Sequence, residues 1–121
     1  MLFQAALSVP DITRDLQDAG FDAHGQGPTR VVVSSGGEAY VWIQILKLED
    51  LDPSDFEDEH EWPIARDRVG SLLDISVRRN VESENLAVKV ADRLVTRFEG
   101  AIMWDGMEQW QERYKAYLAT K

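Results

Sequence analysis

The chain has 121 residues and a formal net charge of −9, from 22 Asp and Glu against 13 Lys and Arg, which argues against direct binding to nucleic-acid phosphates. The absence of Cys excludes disulfides, thiol catalysis and cysteine metal sites together, and a hydrophobic fraction of 44% excludes a disordered chain. No apolar run approaches the ~20 residues that span a bilayer.

Phe3, Ala5, Leu7 and Val9 alternate with period 2 and predict a strand, entered directly from Met1 without a basic leader region. Ser8 and Asp11 then have capping-box spacing, Ile12, Leu16 and Ala19 take up helical spacing, and Gly20 supplies a stop. Residues 21–30 hold Gly25, Gly27 and Pro28 and read as irregular chain or a ragged edge strand. Val31 to Ser35, Gly36-Gly37 and Glu38 to Leu46 read as a β-hairpin, because paired glycines supply the positive φ of a tight primed turn and β-branched and aromatic residues fill both arms. After an acidic segment, Leu73, Ile75 and Val77 alternate with Asp74, Ser76 and Arg78 as a strand with one wet face. Leu86, Val90, Ala91, Leu94, Val95 and Phe98 form a helical stripe ending at Gly100. Ala101 to Trp104 reads as a short apolar strand, and Met107, Trp110, Tyr114, Tyr117 and Leu118 share one face of a last helix.

This order, with helices that each bury one stripe, predicts a two-layer α+β fold. Its sheet is mostly antiparallel or mixed, with helices on one face. One domain over residues 1–121 is expected at this length, in the cytoplasm.

Between Glu49 and Glu61, eight of thirteen positions are acidic: Glu49, Asp50, Asp52, Asp55, Glu57, Asp58, Glu59 and Glu61. Outside them 14 acids face 13 bases, so nearly all the net charge lies in this segment. A block of like charge repels itself, and is either a solvated loop or a surface for a basic partner. Phe56 and Trp62 lie among the acids, and large aromatics are residues that anchor interfaces. Pro53 and Pro63 stiffen the run, reducing the entropy lost on docking.

Asp50, Asp52, Ser54, Phe56, Asp58 and Glu61 also fall at calcium-loop spacing. However, Asp55 occupies the position where that loop needs Gly, and the preceding pattern is a strand, not the required helix. No metal or cofactor is expected. His24 and His60 are the two histidines, neither paired in sequence with a nucleophile motif, and Ser34-Ser35 lacks the glycine-flanked elbow. No catalytic residues are assigned. Trp104 and Trp110 read as core, whereas Tyr40 and Trp42 share the strand face opposite Val41, Ile43 and Ile45. If the aliphatic face is core, the two aromatics are left exposed beside the acidic run.

The Gly-Gly hairpin with Tyr40-Val41-Trp42, the strand Leu72 to Arg78, the helix Ala87 to Phe98 and the run Gly100 to Gly106 resemble, in layout, small immunity proteins of bacterial polymorphic toxin systems. Among these, the contact-dependent inhibition and SitI-like groups are nearest. The resemblance implies a cytoplasmic inhibitor of a cognate toxin domain, frequently a nuclease with a basic cleft. The charge pattern independently suggests the same kind of partner, with Asp50, Asp52, Asp55, Phe56, Glu57, Asp58, Glu59, Glu61, Trp62, Tyr40 and Trp42 as the binding residues. The alternatives are a structural or adaptor domain whose acidic loop serves solubility, and a calcium-dependent or carboxylate-based enzyme.

Overall fold

The computed structural model describes residues 1–46, 68–102 and 108–120. It is an α+β fold with the element order β1 (Leu2–Phe3), α1 (Val9–Asp18), β2 (Asp22–Gly25), β3 (Arg30–Ser34), β4 (Tyr40–Leu46), β5 (Ser71–Val77), α2 (Val81–Arg97) and α3 (Glu108–Ala119). The strands form one sheet in the order β1-β5-β4-β3-β2, antiparallel at every pairing.

Alternation along the strands decides which side of the sheet is dry. Val31, Val33, Val41 and Ile43 are fully buried and Leu73 is nearly so. They join one hydrophobic cluster with Val9, Ile12 and Leu16 of α1 and with Leu86, Ala87, Val90, Ala91 and Leu94 of α2. This is the aliphatic face expected to be core. Helix α2 is also buried at Val88 and Asp92, off that stripe, because α3 packs on it from the side with Tyr114 buried and Arg113 paired to Glu84 at 2.9 Å. Burial first, then the charge of Asp92 and the neighbouring Tyr117, push the Tyr114 phenol above its usual range.

Helix α1 starts where the capping box places it. The Asp11 amide donates to Ser8 Oγ, and the Ser8 amide donates back to Asp11 Oδ2 at 3.1 Å. The Ser8 hydrogen bonds hold the Asp11 carboxyl below the ordinary carboxylate range. That start shortens the strand expected over Phe3 to Val9 to Leu2–Phe3: Pro10 in the first helical turn draws Val9 into the helix, and Ala5 is exposed. The buried Ser71 hydroxyl holds the connecting segment instead, donating to Ala5 O and accepting from the Leu7 amide at 2.6 Å. Across the helix layer, Asp15, 7% exposed, accepts two hydrogen bonds from Arg93 at 2.8 and 3.2 Å and faces Arg97 at 3.5 Å, which joins α1 to α2.

Three further expectations change. The hairpin turn is wider than two residues: Ser34 and Tyr40 are the last paired residues, and Gly36 and Gly37, at φ +64° and +69°, make the left-handed bend between them. The cause is a competing set of hydrogen bonds from α2. Ser83, fully buried, accepts from the Tyr40 amide at 3.0 Å and donates to Glu38 O at 3.3 Å, while the N-cap Asn80 donates to the same carbonyl at 3.0 Å. Of the strand expected at Ala101 to Trp104, Ala101 forms an antiparallel bridge with Leu2, while Met103 and Trp104 lie outside the described residues, as do Met107 and the side chain of Trp110. Gly100, expected as the helix stop, serves close packing: a Cβ there would run into the Phe3 ring, and the left-handed residue after α2 is Glu99 at φ +55°. Leu118, expected on the buried stripe of the last helix, is 42% exposed, and among the described residues α3 turns a narrower stripe around Tyr114 and Tyr117 to the core.

Ser83→Ala leaves the Tyr40 amide without its partner, while Glu38 O keeps Asn80, and should lower the unfolding free energy by about 1–3 kcal/mol. Chemical denaturation checks this, and a loss near zero would mean that water substitutes for the hydroxyl.

Candidate functional site

The helices share one core with one sheet face; the other face is exposed or half-buried around Trp42, while at its far end Leu2 and Leu72 are buried. Strand register sets its rows. His24, Val32, Trp42 and Ser76 lie side by side across four strands; Asp22, Ser34 and Tyr40 form the next row, and Arg30, Gln44 and Asp74 the row on the other side. All are exposed or half-buried, whereas Ala23, Val31, Val33, Val41, Ile43 and Leu73 on the opposite face are buried.

At the centre, the Tyr40 and Trp42 rings stack with centroids 6.1 Å apart and planes 17° from parallel. The Arg78 guanidinium lies 4.5 Å from the Tyr40 ring centroid and is steered there by Glu38 at 3.6 Å. This places a planar cation against a two-ring stack that is already ordered, so little rotamer entropy remains to be lost when a partner covers it. Arg30 and Gln44 flank the stack, with the Arg30 guanidinium donating to Gln44 Oε1 at 3.2 Å and the Gln44 amide donating to Thr29 Oγ1 at 2.7 Å.

Of the residues selected from sequence, Tyr40 and Trp42 are the two the structure describes, and it brings them together on the open face. Asp50, Asp52, Asp55, Phe56, Glu57, Asp58, Glu59, Glu61 and Trp62 lie outside the described residues, as does the calcium-loop spacing over Asp50 to Glu61. Tyr40 and Trp42 do not sit at the end of β4 that leads into the acidic run. Leu46 is about 20 Å along the strand from Tyr40 and about 13 Å from Trp42.

Of the two readings of residues 21–30, the edge strand is the one present, as β2 over Asp22–Gly25. Pairing of β2 with β3 brings His24 Nε2 within 2.6 Å of Asp22 Oδ1, and Ser34 Oγ donates to Asp22 Oδ2 at 3.3 Å. The order of these three groups is wrong for nucleophile activation, since the carboxylate and not the imidazole accepts from the hydroxyl. All three are well exposed to solvent or half so, and the contacts orient the carboxylate. The alternation of Asp22 and His24 about buried Ala23 is the sequence signal that separates the edge strand from irregular chain here. Among the described residues no group of three or more His, Cys, Asp or Glu is placed to hold a metal ion, and no helix is long and apolar enough to cross a membrane.

Comparison with protein-family models, with curated proteins and with solved structures finds no match to this chain.

Removing an outward aromatic and removing a core aliphatic should separate cleanly. Ile43→Ala, at a fully buried position, should cost about 2–5 kcal/mol of stability. Trp42→Ala, next to it on the opposite face, should cost about 1 kcal/mol, the worth of its ring contacts. Equal losses in denaturant unfolding would make the stack part of the core.

Proposed function

We propose that this chain is a non-enzymatic binding protein, an immunity-type inhibitor that neutralises a basic protein toxin domain. The observation that carries the reading is the ordered Tyr40–Trp42 stack on a sheet face to which none of the described helices contributes. Half-exposed aromatics held in a fixed geometry are the residue type and the arrangement that make interface anchors. An open antiparallel sheet face is a rigid platform for them.

Charge supplies the second part. The acidic run from Glu49 to Glu61 holds eight of the 22 carboxylates in a chain of net charge −9. A toxin that acts on nucleic acid must line its cleft with Lys and Arg, and a dense acidic surface competes for that cleft by presenting the same charge as the substrate. In this arrangement Asp50, Asp52, Asp55, Glu57, Asp58, Glu59 and Glu61 steer encounter, while Trp42, Phe56 and Trp62 supply desolvated contacts that slow dissociation. The cytoplasm, where such a toxin would act, is the compartment the reading requires.

Coexpression with any toxin domain found encoded beside its gene tests the proposal. The chain should restore host growth and bind the toxin with an association rate that falls as salt rises. Replacement of Asp55, Glu57, Asp58 and Glu59 by Asn or Gln should slow association by about tenfold at low salt and leave the fold intact. Growth that the parent chain does not restore contradicts the inhibitor reading. Undiminished association by the variant contradicts the role of the acidic run.

A further inference from the structure

Tyr40 and Trp42 leave β4 two residues apart with their rings 17° from parallel, yet both are half-buried and neither enters the core. Two rings attract each other weakly, so at a half-exposed site the pair alone would share its time with other rotamers. What holds it lies at the Tyr40 end.

The β4–β5 ladder pairs Val41 with Val77 and continues with the Arg78 amide donating to Tyr40 O at 3.3 Å, which puts Arg78 directly opposite Tyr40. Its guanidinium lies over the Tyr40 ring, 4.5 Å from the centroid. A planar group sandwiched between two parallel rings would part their centroids by about 7 Å, twice a carbon–carbon contact, whereas they are 6.1 Å apart. The guanidinium therefore covers the Tyr40 face turned away from Trp42. Glu38, two residues before Tyr40 as Trp42 is two after it, holds the cation there at 3.6 Å. Glu38 is itself fixed by the start of α2, where the Asn80 side chain and the Ser83 hydroxyl both donate to its carbonyl, at 3.0 and 3.3 Å. Guanidinium, phenol and indole thus stand in one row, closed at one end by an ion pair whose backbone is tied to the helix layer.

We infer that Arg78 is a positioning residue of the binding face: steered by Glu38, its guanidinium closes the Tyr40 end of the row and so holds the Trp42 indole in the geometry that a partner meets. The use of the stack rests on the binding-protein reading proposed above; the order of the stack in the free chain does not. The ion pair by itself contributes little, since the Arg78 and Glu38 side chains are 45% and 79% exposed, so the cation acts through the ring it covers. That task suits arginine and not lysine. A guanidinium lies flat on a phenol ring and gives up its water readily, whereas an ammonium is a compact point charge that keeps it.

The test uses the free, intact chain with isotope-labelled tryptophan indoles. The Trp42 indole resonance is identified by its loss in Trp42→Phe, and its order parameter is measured in the parent and in Arg78→Ala, Arg78→Lys and Glu38→Gln. In the parent it should match rigid backbone, at about 0.85, and in Arg78→Ala it should fall to about 0.6 or below. Arg78→Lys should recover less than half of that loss, and Glu38→Gln should lie between the parent and Arg78→Ala. The backbone amides of Val41, Ile43 and Val77 should keep the parent order in every variant, which separates placement of a side chain from loss of strand pairing. An indole that stays ordered in Arg78→Ala overturns the positioning role. So do full recovery with lysine, a Glu38→Gln chain as ordered as the parent, and an equal loss of order along the β4 backbone. Loss of indole order on removal of Arg78, in a chain that inhibits no toxin, would sink the proposed function and leave the placement of Trp42 by Arg78 standing.

Discussion

The Ser83 hydroxyl fixes the relation between the helices and the sheet. It is fully buried at the start of α2 and bonded both to Glu38 O and to the Tyr40 amide, so it pins the first residue of β4 to the helix that covers the sheet. Side chains alternate along a strand, so fixing the backbone at Tyr40 decides the direction of every residue that follows. Val41 and Ile43 must then enter the core while Tyr40, Trp42 and Gln44 remain on the far side. A slip of one residue would bury a tryptophan against α2 and expose two β-branched chains. The Asn80 cap contributes to the same joint, since its side chain both receives the Ser83 amide at 2.7 Å and donates to Glu38 O.

The two faces of the sheet then have different tasks. The dry face supports the helices, with Asp15 clamped by Arg93 and approached by Arg97 to hold α1 against α2. The open face carries a stack that is ordered before any partner arrives. The sheet edges are blunted in separate ways. At β1, Leu2 exchanges two main-chain hydrogen bonds with Ala101, and at β2 the Gln17 side chain takes the Ala23 carbonyl at 2.8 Å. Edge pairing is thereby discouraged at both sides, which is consistent with recognition through a face.

Much of this architecture is local and was therefore legible in the sequence. The Ser8–Asp11 box, the Gly36-Gly37 bend, the alternation from Ser71 to Val77 and the stripe from Leu86 to Leu94 each follow from residues a few positions apart. The sheet-face assignment was also legible, because Val41 and Ile43 make a continuous aliphatic surface with Val31 and Val33 that the aromatics do not. What escaped depends on distant residues. Ser83 reaches Tyr40 across 43 positions, Ser71 reaches Ala5 across 66, and Gly100 is required by the Phe3 ring; no window of sequence contains both members of any of these pairs. The acidic run behaves oppositely: its composition alone identifies it.

The central claim is that partner recognition uses the sheet face opposite the helices. Site-specific photocrosslinking in cells that coexpress the proposed toxin partner tests it most directly, with the photoreactive residue placed at Ser76, beside Trp42 on the open face, or at Thr96, exposed on α2. The account predicts a crosslink to the toxin from position 76 and none from position 96. Crosslinking from position 96 with none from position 76 would contradict it and move the interface to the helical side.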